Sequence, residues 1–354
     1  MSSSRLFTPL QAQTETHINH FCASFNVPLL TPTDYQRHRP DASWLLVDGS
    51  DTVVARCSLW WRQSGPYPQR EEGLRGDHLS LDKERLGIIG HYAVNNNGEA
   101  AGQLLRLACA ELAQRGCTLA VGPLDGNTWQ SYRFIVERGE ELPFLLEPDH
   151  PADWPDHFSA AGFTPLAYYV STITDKLTQQ NQCLIKVAER AHRQGIILRP
   201  FDPTHIESEL SLIYQLTAMS FQHNFLYTPL DETDFLAQYR PLQSYIRPDL
   251  ILIAEKYGQP IGFIFALPNL LQAQRGQLID TVIIKTMAVH PAHRAAGLGD
   301  LLVARCQVVA HELGYTRAIH ALMHESNVSR NISRRYEAKI IRRYGLFARP
   351  LTVS

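Results

Sequence analysis

The sequence lacks the features that mark several broad classes of protein. Its 354 residues include 33 basic and 35 acidic side chains, which give a net charge of -2. Nucleic-acid-binding proteins usually carry a large basic excess, so this balance argues against nucleic acid as a partner. No apolar run approaches the roughly 18 residues of a membrane span, and the N-terminal segment MSSSRLFTPLQAQTETHINHF has no signal-peptide core. We expect a cytoplasmic protein with no membrane partner.

Cysteine is scarce and metal-ligand patterns are missing. The six cysteines are scattered without a CxxC pair: Cys22, Cys57, Cys109, Cys117, Cys183 and Cys306. Buried free thiols in a reducing compartment explain such a distribution. The histidine pairs in HPAH (290–293) and HALMH (320–324) have no third ligand nearby in the sequence, so we expect no metal.

Three well-known ligand motifs are also absent, and a different glycine loop is present. The chain has no Walker A loop, no GxGxxG fingerprint and no GxSxG elbow. Instead, MAVHPAHRAAGLGDLL places Arg294, Gly297 and Gly299 between an apolar strand and an apolar-periodic helix. Glycines let backbone amides approach phosphate oxygens, and a helix N-terminus adds unpaired N–H groups. The stretch predicts a pyrophosphate-binding loop, and an ordinary strand-to-helix turn is the alternative.

The order of elements around this loop occurs twice in the chain. The second half has a hairpin (250–269), a strand (278–291), the glycine loop, a helix ending at Gly314 and a further strand (315–323). The first half has a hairpin (43–62), a strand (85–94), the loop NNNGEAAG, a helix (103–116) and a strand (117–123). Leu302, Cys306, Val309 and Leu313 are predicted to share one helical face. The pattern predicts two duplicated units, 1–175 and 176–354.

The glycine-loop segment resembles the acyl-CoA-binding segment of the GNAT superfamily of acyl-CoA-dependent N-acyltransferases. That family carries (Q/R)xxGx(G/A) after its fourth strand. The resemblance implies an α/β fold of two tandem GNAT-like domains, each a central mixed, mostly antiparallel sheet flanked by helices. It also implies acetyl-CoA, or another acyl-CoA, as co-substrate. The residues expected to bind it are Met287, Ala288, Val289, Arg294, Ala295, Ala296, Gly297, Leu298, Gly299, Asp300 and Asn327.

The first half departs from the family signature. NNNGEAAG has no Arg or Gln in the Arg294 slot, and Ala100 replaces Gly297. Glu99 would repel a pyrophosphate at this range. We therefore expect residues 1–175 to be a degenerate GNAT-like domain that does not bind CoA. It could replace the dimer partner that many such enzymes have, which leaves a monomer or a homodimer as the expected state.

The resemblance also suggests roles in catalysis. Tyr336 matches a family tyrosine that protonates the CoA sulfur, and Tyr344 is a weaker candidate within a strand-like run. Asn327 matches an asparagine that bonds the CoA arm, and a helix N-cap is its alternative. The fourth-strand positions that often hold an acid are occupied by Ile283 and Lys285. Lys285 could act as a base if burial lowered its pKa, or bind an acceptor carboxylate. Water, His324, Glu325 or the other domain remain alternatives for the base.

Clusters of aromatic and amide side chains are candidates for the acceptor pocket. Phe221, Asn224, Tyr227 and Trp129 lie in two such clusters, and interdomain packing is the alternative. The basic C-terminal tail is interpreted as a solvated face or as a contact for an anion. The sequence thus predicts an N-acetyltransferase that acylates a small-molecule amine. A non-catalytic acyl-CoA sensor is the alternative.

Overall fold

The structure is a computed structural model that describes residues 7–62, 84–178, 182–240, 245–327 and 329–352. Within these ranges, the side chains of residues 182–183, 294–296 and 329–330 are not described. The first half contains β1 (Thr8–Gln11), α1 (Glu15–Ala23), α2 (Pro32–His38), β2 (Ala42–Val47), β3 (Val53–Trp60), β4 (Leu86–Val94), α3 (Gly98–Gln114), β5 (Leu119–Gly122), β6 (Phe134–Glu137), α4 (Trp154–Ala160) and β7 (Thr164–Thr174). The second half contains α5 (Gln182–Arg193), β8 (Ile196–Pro200), α6 (Ile206–Phe221), α7 (Glu232–Tyr239), β9 (Ile251–Lys256), β10 (Gln259–Pro268), α8 (Leu271–Gln274), β11 (Thr281–Val289), α9 (Leu298–Glu312), β12 (Arg317–His324), α10 (Ser329–Arg335) and β13 (Lys339–Pro350).

The strands form one continuous mixed sheet flanked by helices, as the predicted fold class requires. Their order is β1-β2-β3-β4-β5-β13-β7-β12-β11-β10-β9-β8, and β6 pairs with β13. Most neighbours are antiparallel, whereas β4 with β5 and β11 with β12 are parallel pairs. Each parallel pair is linked by a helix, α3 or α9, which is the usual crossover for parallel strands.

Local turn chemistry fixes the two predicted hairpins. Tyr257 and Gly258 both have positive φ, 51° and 77°, between β9 and β10. A two-residue turn of this kind matches the twist of the strands it joins. In the first hairpin, the Asp48 carboxylate accepts hydrogen bonds from the Ser50 and Thr52 amides at 2.9 and 3.1 Å. Such a side-chain turn holds β2 and β3 in register.

Each parallel pair opens into a cleft part-way along its length. The pairing of β11 with β12 ends at Ile284 and His320, although β11 continues to Val289. The pairing of β4 with β5 ends at Ile88 and Val121, although β4 continues to Val94. Both halves therefore have a parallel pair of strands that separate from each other.

The last strand of each half lies in the sheet of the other half. β7 pairs with β12, and β13 pairs with β5. The two strands also pair with each other, from Lys339 opposite Ile173 to Ala348 opposite Thr164. A cut at residue 175 would separate strands that are neighbours in the sheet. The boundary near Asp175 therefore stays a prediction about sequence units.

The helix after the glycine loop buries most of its predicted apolar face. Leu302 and Cys306 are fully buried on α9. Leu313 is 48% exposed, so its placement on this face was wrong. The helix ends at Glu312, so Leu313 is the C-cap and lies beyond the last helical residue; Gly314 follows with φ = 93° and turns the chain away.

The predictions on thiols and membrane spans concern the whole chain. The five described cysteines are buried and free, and the side chain of Cys183 lies outside the described residues. Among the helices described, none is long and apolar enough to cross a bilayer.

Candidate active site

The N-terminus of α9 presents backbone amides without a side-chain cap. Residues Pro291–Ala296 form a 3-10 turn after β11, and Gly297 follows in the left-handed region with φ = 73°. Gly297 is the N-cap and has no side chain to bond the first amides of the helix. Free N–H groups at a helix N-terminus form an anion site. Leu298, Gly299 and Asp300 make up this first turn, and their binding of CoA stays a prediction.

Both loop glycines also allow close packing. A Cβ on Gly297 would lie 3.1 Å from a Val187 methyl of α5. A Cβ on Gly299 would lie 3.2 Å from Cε of Met287. The glycines therefore serve the helix packing as well as the access to the amides. The side chains of Arg294, Ala295 and Ala296 lie outside the described residues, so their roles stay predictions.

The exposed edge of β11 lies beside this helix N-terminus. β10 covers one edge of β11 up to Val289, whereas no ladder pair to β12 is described beyond Ile284. Met287 and Val289 pack towards α9, and Ala288 is buried on the opposite face. The Ser220 hydroxyl donates to the Val289 carbonyl at 3.1 Å. An extended amide-bearing arm could therefore pair with this edge, as the resemblance implies for Met287–Val289.

A bulge in β11 places Lys285 where the cleft begins. Phe265 pairs with Thr286 and Ala266 with Ile284, so Lys285 is an extra residue in the ladder. Bulges next to active sites redirect side chains. Burial lowers the pKa of Lys285 to about 8, and the positive charge of Arg133 adds to this effect. The neighbouring candidate position is filled by Ile283, which is fully buried and apolar.

Tyr336 brings a buried hydroxyl to the first turn of α9. The residue is 3% exposed, and its hydroxyl has no hydrogen-bond partner among the described residues. Burial, together with the charge of Asp300, raises the pKa of Tyr336 to about 12. Arg335 forms an ion pair with Asp300, which joins α10 to α9. An unpaired buried hydroxyl is costly, and a ligand atom that accepts its hydrogen bond would remove that cost.

Tyr344 differs from Tyr336 because its hydroxyl is already bonded. It lies in β13, as its alternating sequence context predicted, and is fully buried. Its hydroxyl bonds the carboxylate of Glu147 and lies 3.0 Å from the Ser171 hydroxyl. Glu147 also pairs with Arg342 at 2.9 Å. This buried network holds β13 in place and leaves Tyr344 without a free proton to offer.

The other candidate bases lie at the end of β12. The Glu325 carboxylate accepts a hydrogen bond from Arg343 at 2.8 Å, so its charge is already paired. The His324 ring packs edge-on against Tyr169, with centroids 4.9 Å apart. Asn327 is exposed in the turn that follows, and its backbone N–H donates to the His324 carbonyl at 2.9 Å. That turn places Asn327 between β12 and α10, and its bond to the CoA arm stays a prediction.

The predicted acceptor residues fall into a packed group and an exposed one. The Trp129 indole donates to the Thr228 carbonyl at 2.8 Å and packs edge-on against Tyr227 at 5.9 Å. These two side chains join the halves, which favours the packing alternative for them. Phe221 is half-buried at the end of α6, and Asn224 is exposed just beyond it. Asn224 is therefore the better placed of the polar candidates.

Sequence reasoning missed Arg133, which stands between the two halves. Its guanidinium lies between the rings of Tyr132 and Tyr169, 3.7 and 4.0 Å from their centroids. It donates to the Leu322 carbonyl of β12 at 3.1 Å, and the residue is only 6% exposed. The one available signal was a lone arginine among aromatic and apolar residues in SYRFIV. Its partner strands come from distant parts of the sequence, so the pattern could not assign it.

The comparison with protein families decides which family the glycine loop belongs to. Residues 247–338 match the model of the acetyltransferase (GNAT) domain. The second half therefore contains a GNAT acetyltransferase domain at residues 247–338. The matched segment includes β11, the glycine loop, α9, β12 and Tyr336, which are the parts that build this site.

The proteins that resemble this chain share little sequence identity with it. Protein YghO of Escherichia coli K12 is 25% identical over 55% of the chain and 51% of its own length. The chain thus spans about half the length of YghO. The bacterial ceramide synthase of Caulobacter vibrioides is 21% identical over 70% of both chains. The tandem GNAT protein of clavulanic acid biosynthesis shares the fold, with a TM-score of 0.52, 13% identity and 99% coverage of both chains.

Proposed function

We propose that the protein is an acyl-CoA-dependent N-acyltransferase that transfers an acyl group, most simply acetyl, to the amine of a small-molecule acceptor. One observation carries the proposal: three groups that no described hydrogen bond occupies lie on α9 and on elements packed against it. They are the amides of α9, the free edge of β11 and the hydroxyl of Tyr336. The family match over 247–338 supports acyl-CoA as the donor.

These three groups suit the chemistry of an acyl-CoA donor. The α9 amides would hold the CoA pyrophosphate, because the helix dipole and the unpaired N–H groups favour anions. The β11 edge at Met287–Val289 offers amide and carbonyl groups to the pantetheine arm. The phenol of Tyr336, with its pKa raised to about 12, keeps its proton at neutral pH.

The transfer is a substitution at the thioester carbonyl. The neutral amine attacks the carbonyl carbon, the C–S bond breaks, and the electron pair leaves on sulfur. Tyr336 donates a hydrogen bond to the thiolate as its charge develops, and a solvent proton, balanced by the proton that Lys285 later releases, converts the thiolate to the CoA thiol. The amide product loses one proton from its nitrogen. Positioned donors of this kind contribute by stabilising charge in the transition state.

Lys285 receives the proton that the attacking amine loses. Its pKa of about 8 leaves part of the population neutral near pH 7, which an ordinary lysine would not be. It stands at the bulge where β11 and β12 separate. Glu325, the nearby carboxylate, is already paired with Arg343. The acceptor would enter past Asn224, which is exposed beyond the end of α6.

Release of free CoA thiol is the direct test of this function. Thiol appearance is followed with a panel of amines and with acyl-CoA donors from acetyl to palmitoyl. The long donors and a long-chain amino alcohol belong in the panel because one relative is a bacterial ceramide synthase. We expect amine-dependent release of thiol and an acylated amine by mass spectrometry. Stoichiometric acyl-CoA binding without turnover on any amine would favour the sensor alternative.

A further inference from the structure

In the first half, two histidines lie near the point where β4 separates from β5. This point corresponds to the separation of β11 from β12 in the second half. His91 lies on β4 just beyond the last pair with β5, at a bulge between Arg56 and Ser58 of β3. His38 ends α2, and Asp125 lies in the loop after β5. Each of the three residues offers one ligand atom, and these atoms all lie within 4.8 Å of one another.

Gly90 and the Trp60 indole help to bring these three distant residues together. A Cβ on Gly90 would lie 2.2 Å from the Leu124 carbonyl, so only glycine lets this loop approach β4. Asp125 then accepts a hydrogen bond from the His91 amide at 2.6 Å. On the other side, the Trp60 indole donates to the His38 carbonyl at 2.7 Å. His91 itself takes a left-handed φ of 46°, which few non-glycine residues adopt.

The two imidazoles are oriented as metal ligands are. Nδ1 of His38 and Nε2 of His91 face each other at 2.8 Å. The other nitrogen of His91 is held by the Ser58 hydroxyl at 2.9 Å, which is bonded in turn to Ser43. Outer partners of this kind fix the tautomer and orientation of a ligating histidine. Burial lowers the pKa of His38 to about 4, so its ring is neutral.

The carboxylate of Asp125 has no basic partner of its own. No ion pair of Asp125 is found within 4 Å in the described part of the chain. The nearest buried cation, Arg56, donates instead to the carbonyls of Phe21, Cys22 and Pro28. Among the described residues, the Asp125 carboxylate therefore has no adjacent counter-charge. A divalent cation would supply one.

We propose that His38, His91 and Asp125 form a site for a divalent transition metal, with Zn²⁺ as the best fit. Two imidazole nitrogens and one carboxylate oxygen are ligands that Zn²⁺ accepts, at about 2.0 to 2.2 Å each. Ligand atoms of a tetrahedral site at those bond lengths lie about 3.3 Å apart. The observed spacing therefore needs only small shifts, and a fourth position stays open. Sequence reasoning missed the site because its residues are far apart and lie on three elements.

The test uses the full chain, stripped with a chelator and titrated with Zn²⁺ against a chromophoric competitor. We expect one tight equivalent per chain and, with Co²⁺, the intense visible absorption of a four- or five-coordinate ion. His38→Gln and Asp125→Asn should each weaken Zn²⁺ binding by at least about 100-fold. Asp125→Asn keeps an oxygen for the His91 amide, so its folding is preserved. Circular dichroism and thermal unfolding check each variant.

The control is a pair of exposed histidines one turn apart on α1. His17→Gln with His20→Gln removes this surface pair and should leave the tight equivalent unchanged. Loss of the tight equivalent in this control, with retention in folded Asp125→Asn, would mark surface binding and overturn the proposal. Absence of a stoichiometric Zn²⁺ site in the wild-type chain would overturn it as well. Release of the CoA thiol from acyl-CoA is measured separately, and its outcome does not affect the interpretation of Zn²⁺ binding.

Discussion

The two strand-to-helix connections of the molecule share a scaffold and differ at the helix N-terminus. In the first half, residues 95–97 join β4 to α3, and the Asn97 side chain accepts a hydrogen bond from the Ala100 amide at 3.0 Å. Glu99 occupies the first turn of α3. In the second half, residues 290–297 join β11 to α9, and Gly297 provides no cap.

From this difference we infer that a cap, rather than the fold, decides where an anion can bind. Both helices follow a parallel strand that separates from its neighbour, and both present a dipole. The Asn97 side chain already satisfies an amide at the N-terminus of α3. Both helices carry an acid in the first turn, but Asp300 of α9 is paired with Arg335. The N-terminus of α9 still needs a partner, and a phosphate ester would provide it.

The largest effect is expected from filling the α9 N-terminus. Arg294→Ala with Gly297→Val should weaken acetyl-CoA binding by at least about 100-fold, since each 1.4 kcal/mol is tenfold in affinity. The valine Cβ would strain a backbone at φ = 73° and approach Val187 of α5. Isothermal titration calorimetry measures the affinity. Gly297→Asn, which tolerates this φ, separates strain from side-chain bulk.

The matched control lies in the first half. A Cβ on Gly98 would meet no atom within 4 Å, so Gly98→Val should leave acetyl-CoA affinity unchanged. The same titration should give one acetyl-CoA per chain. Two equivalents, or an unchanged affinity in the Gly297 double variant, would remove the distinction between the two connections.

The next prediction concerns the Tyr336 hydroxyl, which has no hydrogen-bond partner among the described residues. Tyr336→Phe should lower kcat by about 10- to 1,000-fold and leave acetyl-CoA affinity nearly intact, the pattern of a lost transition-state interaction. Tyr344→Phe is the control, because its hydroxyl belongs to the Glu147 network. That variant should lose stability while its kcat stays normal. A normal kcat for Tyr336→Phe, with chemistry shown to be rate-limiting, would exclude Tyr336.

A smaller effect should follow the titration of Lys285. Lys285 is active as a base when its side-chain amine is neutral. Since the pKa of Lys285 is about 8, kcat/KM should level off above pH 8. Below pH 8 it should fall by about tenfold per unit. An acceptor whose own amine has a low pKa keeps the acceptor's titration out of this range.

Arginine at this position separates the two roles that the sequence left open for Lys285. Lys285→Arg keeps the charge but stays protonated, so it should remove most activity if Lys285 is the base. Retained activity and an unshifted profile in Lys285→Arg, with loss in Lys285→Met, would assign Lys285 to an acceptor anion instead.

The parts of the molecule that the sequence predicted are those that local interactions determine. The glycine loop, α9 and the hairpins each follow from periodicity and turn residues within one segment. The partners of β7 and β13 do not, because an apolar alternating strand carries no label for the edge it joins. Arg133 and the histidine cluster depend on those long-range pairings. The cap at Asn97 was missed for another reason: three successive asparagines hid which one begins the helix.

The smallest effect is expected at the acceptor side, where the two halves meet. Asn224→Ala should raise the KM for the acceptor by a few-fold, about the worth of one hydrogen bond, and leave the KM for acetyl-CoA unchanged. Asn224 is exposed just beyond α6. The Ser220 hydroxyl of the same helix donates a hydrogen bond to the Val289 carbonyl of β11. Trp129→Phe is the comparison, because its indole bonds Thr228 within the packing between the halves. It should lower the melting temperature and leave both KM values within twofold. If Asn224→Ala changes neither KM while Trp129→Phe raises that of the acceptor, the amine enters through the interface between the halves instead.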